Sequence, residues 1–158
     1  MNSSVSKPSG ILFDTNVLSL FARIDRLELL FSTFVDAHNA HQLYVSPSIK
    51  RELEMGFHNG TAYISNCLAR IDAGDLQVLQ PTDADRRFGR NLPPKLGAGE
   101  VEAIALCQRL NLVFVSHDRK ATNYCERVGI QSIKLIALIE RLRRAHRLTD
   151  SEIETMFQ

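Results

Sequence analysis

Net charge is the first thing this sequence lacks. Its 19 basic and 18 acidic side chains leave a formal charge of +1. That excludes a general polyanion binder and confines any nucleic-acid contact to a local basic patch. RNA stays open as a partner, because acids gathered at a site cancel bases elsewhere. Cysteine is scarce too: Cys67, Cys107 and Cys125 are odd in number, far apart and form no Cys-x-x-Cys pair. A disulfide framework is excluded, and a reduced, cytoplasmic setting is expected, with the thiols as small hydrophobes. The 5 histidines show no metal-ligand spacing, which argues against structural zinc. No apolar run is long enough to cross a bilayer, so no membrane partner is expected. The polar, Ser-rich start lacks the apolar core of a secretion signal. No repeat, low-complexity tract or linker divides the chain. Residues 1–9 are expected to be a flexible segment, and residues 10–158 a single domain.

What is present is a set of short apolar runs that end in polar residues. Ile11-Leu12-Phe13 runs into Asp14-Thr15-Asn16, and Leu112-Val113-Phe114-Val115 runs into Ser116-His117-Asp118. Each reads as a buried strand ending at a polar site. Leu43–Val45, Leu76–Leu79 and Ile130–Ile133 read as further strands. Helices are expected over Val17–Arg23, Arg26–Ala37, Thr61–Ala73, Lys120–Val128 and Leu135–His146. The polar cluster His38–His41 is expected to close the second of these. Ser46 and Pro47 read as the cap and first residue of a helix that Gly56 stops. Thr82–Arg90 reads as a short charged helix, Glu100–Leu110 as a strong one, and Thr149 as the cap of a last one. Strands alternating with helices predict a central parallel sheet covered on both faces, a three-layer α/β/α fold.

In such a sheet, ligands sit beyond the carboxyl ends of the strands. If the two Asp-ended strands are neighbours, Asp14 and Asp118 meet there. Glu52, and Glu100 or Glu102, lie near the starts of helices and can join them. A like-charged pair at about 4 Å costs on the order of 4 kcal/mol at an effective dielectric near 20. Such a cluster therefore takes up protons or binds a hard divalent cation, Mg²⁺ or Mn²⁺. That ion suits phosphodiester cleavage: it activates a water, orients the phosphate and stabilises the leaving oxygen.

Four segments in order resemble the PIN domain family, which includes the VapC-type toxin ribonucleases. They are Phe13–Leu18, Ser46–Leu53, Gly99–Leu106 and Val113–Asp118. The resemblance implies a sheet between helices and metal-dependent hydrolysis of single-stranded RNA. It makes Asp14, Glu52, Glu102 and Asp118 the catalytic, metal-binding acids, with Asn16 and Ser116 as polar supports. It also implies a toxin restrained by an antitoxin protein, and homodimerisation. Glu100 competes with Glu102, since residues two apart on a helix point in nearly opposite directions. Glu102 is favoured because the motif sets the acid just before Ala103-Ile104-Ala105, and Glu100 has an alternative role at the helix dipole.

Other roles compete for the same residues. Asp14 and Asp118 can cap the helices that follow them, and Glu52 can be a solvated surface charge. His117 alternates away from Asp118 and reads as a packed or surface residue. Arg86, Arg87, Arg119 and Lys120 are the RNA-contact candidates. Arg141, Arg143, Arg144 and Arg147 read as an exposed helix face or partner surface. Many family members carry an acid or Asn shortly after the fourth Asp. Here Arg119, Lys120 and Ala121 follow, with Asn123 the nearest candidate. That departure motivates a second expectation, a module that binds RNA or a partner and cleaves poorly. An aspartyl phosphotransferase would need an Asp where Asn16 stands.

Overall fold

Gly10–Phe13 (β1) and Leu112–Ser116 (β4) are buried along their whole length and lie side by side at the centre of a parallel sheet. Their continuous apolar runs are what a strand covered on both faces requires. A computed structural model describes residues 8–37 and 42–158. The segment at residues 1–7 and the cluster His38–His41 lie outside the described residues. Ser9 is tied down: its N–H donates to the Asn111 carbonyl at 3.0 Å, and its hydroxyl to that of Leu110 at 2.6 Å.

The remaining strands are Leu43–Val45 (β2), Gln77–Val78 (β3) and Ser132–Lys134 (β5). The order across the sheet is β3-β2-β1-β4-β5, all parallel. Both edge strands are short, which limits pairing with other chains. The helices among the described residues are Thr15–Arg23 (α1), Leu27–Ala37 (α2), Pro47–His58 (α3), Ser65–Asp72 (α4), Asp83–Arg90 (α5), Ala98–Leu110 (α6), Arg119–Val128 (α7), Leu135–Arg144 (α8) and Asp150–Met156 (α9). They flank the sheet and complete the three-layer α/β/α fold. No helix is long and apolar enough to cross a membrane, among the described residues.

Local chemistry explains most boundaries. Ser46 caps α3 by accepting the Ile49 N–H, with Pro47 at the first helical position. Thr82 with Asp85, and Thr149 with Glu152, form reciprocal capping boxes that start α5 and α9. The segment expected as one helix from Thr61 divides into a 3₁₀ turn at Ala62–Ile64 and then α4, with Ile64 buried. Gly56 does not end α3, which runs on to His58. A Cβ at Gly56 would sit 2.7 Å from the Ile64 side chain, so its missing side chain serves close packing. In the core, Phe13 packs between Phe31, tilted at 5.9 Å between ring centroids, and Phe34, edge-to-face at 5.5 Å.

Candidate metal and phosphodiester site

The sheet changes winding direction between β1 and β4, and the crevice beyond their carboxyl ends is the expected ligand position. Phe13 pairs opposite Val115, so Asp14 and Ser116 emerge together. The Asp14 N–H donates to the Val115 carbonyl at 3.0 Å. One Asp14 oxygen accepts the Thr15 N–H at 2.8 Å and starts α1. The other accepts the Ser116 hydroxyl, also at 2.8 Å. Ser116 in turn accepts the Asp118 N–H at 3.0 Å. This buried hydroxyl thus ties the ends of both strands together.

Asp118 caps α7, with Oδ1 accepting the N–H groups of Lys120 and Ala121 at 2.8 and 3.2 Å. Capping does not exclude a place in the site, because it uses one oxygen of two. The Asp118 carboxylate also meets Glu100 in a side-chain hydrogen bond. Glu52 comes in from α3, where the Thr15 hydroxyl donates to its Oε2 at 2.6 Å. A Cβ at Gly99 would lie 2.7 Å from Glu52 Oε1, so only glycine leaves the carboxylate room there.

The two candidates for the third acid lie in different surroundings. Glu102 Oε1 accepts the Ser48 N–H at 2.8 Å and satisfies the start of α3. It lines a groove of about 530 Å³ with Arg51, Arg86 and Arg90, whose lining does not include Asp118. Glu100 takes the position beside Asp118 and Asp14. The roughly 200° between the two residues around the helix puts them on different sides.

The electrostatics mark a crowded cluster. Burial pushes the Asp14 carboxyl above its ordinary range; Ser116 and the Thr15 N–H draw it down, and the charges of Glu52 and Asp118 push it up again. Glu100 is pushed up to about 7, first by burial, then by its bond to Asp118 and the charge of Asp14. Burial of Asp118 acts upward as well. The hydrogen bonds from Glu100 and from the Ala121 and Lys120 N–H groups outweigh it, with help from the Lys120 charge, and Asp118 lies below its ordinary value. Below about 7, then, Glu100 carries a proton and donates it to the Asp118 carboxylate. In this arrangement no three acidic, histidine or cysteine side chains among the described residues converge to ligate one ion.

The other expected residues are dispersed. Asn16 is exposed and lines a shallow groove with Arg23, His117 and Phe157, between α1 and the last helix. His117 is also exposed, its ring 5.9 Å from that of Phe157. Arg119 and Lys120 are exposed on the first turn of α7, next to Asp118. Arg86 pairs with Asp83 at 2.9 Å, and Arg87 is exposed on the same helix. Arg143 and Arg144 both bond Glu140 along α8. Sequence reading missed two residues that shape the site, Thr15 and Gly99. Thr15 follows the first acid directly, and Gly99 precedes Glu100, but neither type announces a role toward Glu52.

A comparison with curated proteins finds no match. A family model described as a PIN domain matches residues 10–158. That span takes in every element from β1 to α9, and the chain belongs to the PIN domain family.

Proposed function

We propose that this chain is a Mg²⁺- or Mn²⁺-dependent endoribonuclease that hydrolyses phosphodiester bonds of single-stranded RNA. PIN domains are generally nucleases and typically use divalent metals. The observation that supports the reading best is the Glu100–Asp118 carboxyl pair within electrostatic reach of Asp14 at the winding switch, with Glu52 linked to the start of α1 through Thr15. The donor set fits a hard cation, because it offers only oxygen. The proton held by Glu100 balances charge that a cation would balance instead. Glu52 is exposed and accepts a hydrogen bond from Thr15, and loss of the Glu100 proton would leave two like charges side by side at Asp118 for a cation to balance.

A bound divalent ion would supply water activation and charge neutralisation at the phosphate. The protein's own residues do the positioning. Ser116 fixes the direction of the Asp14 carboxylate, and Thr15 holds Glu52. Arg119 and Lys120 stand beside Asp118, placed for flanking phosphates, and Arg86 and Arg87 extend the positive surface on α5. A toxin role, an antitoxin seated in the cleft, homodimerisation and a cytoplasmic setting belong to the same proposal and come from the family resemblance. A small neighbouring gene for a DNA-binding antitoxin is expected on that reading.

Metal titration followed by incubation with single-stranded RNA tests the proposal. Wild-type protein cleaves only with Mg²⁺ or Mn²⁺. Asp14→Asn and Glu100→Gln lose about 100-fold or more, the size usual for removing a group that stabilises reacting charge. Glu102→Gln keeps activity within about threefold, because its amide oxygen still accepts the Ser48 N–H. A wild type that binds metal without cleaving supports the binding-module reading, which the basic residues after Asp118 favour.

A further inference from the structure

A second cavity opens next to the acids, between α3 and the first turn of α6. It has a volume of about 580 Å³, and its lining includes Ser48, Arg51, Glu52, Met55, Asn59 and Gly99. Glu52, Met55 and Asn59 are spaced three and four residues apart, so they share one face of α3 and its end. Across from them, Ala98 and Gly99 present nothing larger than a methyl group. The result is an open slot walled on one side by small residues, with Glu52 in its lining.

The lining chemistry suits a planar heterocycle joined to phosphate. Met55 is 62% exposed and lines this cavity beside Arg51, Glu52 and Asn59, so its side chain is accessible to a ligand there. Its polarisable thioether packs well on π faces. Asn59 is exposed, and its carboxamide offers a donor and an acceptor side by side, the pattern that pairs with a base edge. The Arg51 guanidinium donates to Ser48 Oγ at 3.1 Å and keeps other donors for a phosphate. An apolar peptide side chain would use Met55 and leave Asn59 and Arg51 without purpose. We infer that this slot is a nucleobase subsite, which takes the base next to the phosphate at the carboxylates and sets the base preference of cleavage. The inference rests on the nuclease reading above.

Two readouts test it on the full chain. The first is fluorescence anisotropy with end-labelled hexaribonucleotides of A, C, G or U, with Ca²⁺ present, and with single abasic units along the best of them. The second is the cleavage map of a mixed-sequence RNA with Mg²⁺. Wild-type protein binds the four homopolymers over at least about a fivefold range, and one abasic position weakens binding about tenfold. Asn59→Ala narrows the range to about twofold, and Met55→Ala removes the abasic effect. Both are surface changes that leave folding intact, checked by melting temperature. Equal binding of all four homopolymers by the wild type would overturn the subsite. So would variants with unchanged preference, which would leave the slot to a protein partner. Base-selective binding without cleavage would refute the nuclease and keep the subsite. Cleavage with the same base preference in both variants would refute the subsite and keep the nuclease.

Discussion

Glu52 illustrates how little holds a candidate site side chain in place. It is exposed, and its visible restraints are the Thr15 hydroxyl and the absence of a side chain at Gly99. Gly99→Ala therefore separates stability from function. The new methyl would sit 2.7 Å from Glu52 Oε1, and the flexible carboxylate yields by turning into solvent. Alanine favours a helix over glycine by up to about 1 kcal/mol, less in a first turn. The expected outcome is a melting temperature equal to or above wild type, with metal affinity and cleavage reduced about tenfold. A variant that is less stable yet fully active would show that Gly99 serves packing alone. Which of Glu100 and Glu102 lies beside Asp118 was not legible in the sequence, for a physical reason. Gly99 and Ala103 to Cys107 are all buried, so α6 shows no clear polar face from which to read which acid points outward. The positions of Asp14 and Asp118 at the ends of β1 and β4 were legible because the apolar runs before them are local signals, and both cap the helices that follow.

At the scale of elements, the joint between α5 and α6 is the least predictable and the most testable. Asp85 is buried, and Arg109 grips it through Nε and Nη2 at 2.8 and 2.9 Å. Burial pushes the Asp85 carboxyl up, but Arg109 and the Thr82 N–H outweigh it and hold it below its ordinary value. The same carboxylate closes the capping box of α5. The charged helix at Thr82 was visible from its composition; its capping box with Asp85 emerged from the structure. The ion pair spans 24 residues and leaves no local pattern. Asp85→Asn is expected to cost about 2 kcal/mol, below the usual range for breaking a buried pair because Arg109 is partly exposed. Asp83→Asn, which removes a surface pair, is expected to cost under about 0.5 kcal/mol. Because the Asp85 pKa is lowered on folding, its contribution is present above the unfolded value of 3.8 and is lost as pH falls below it. Denaturant melts of both variants at pH 7 and pH 3 check the pair, and equal losses at pH 7 would remove it as the joint's anchor.

For the whole molecule, the acid cluster sets stability against function. Glu100 titrates near 7 in the folded chain and near 4.5 when unfolded. Between those values the folded protein holds a proton that the unfolded chain has released. Metal-free stability therefore falls as pH rises through that window, and the full cost is present above about 7. Asp14, also raised, acts in the same direction, whereas Asp85 changes only at lower pH. After allowance for solvent screening, the expected loss from pH 5 to pH 8 is about 1–2 kcal/mol, or about 3–6 °C in melting temperature for a chain this long. Glu100→Gln removes the ionisation, so it flattens the decline and melts above wild type at pH 8 without metal. Adding Mg²⁺ reverses the ranking, because an ion that binds only the folded state stabilises it by mass action, and wild type binds it better. Melting curves of both proteins at pH 5 and pH 8, with and without 10 mM Mg²⁺ (a concentration of about that order suits a weak carboxylate site), check both signs. If the metal-free wild type grows more stable toward pH 8, or the glutamine variant gains as much from Mg²⁺ as wild type does, Glu100 does not belong to a cation-binding cluster.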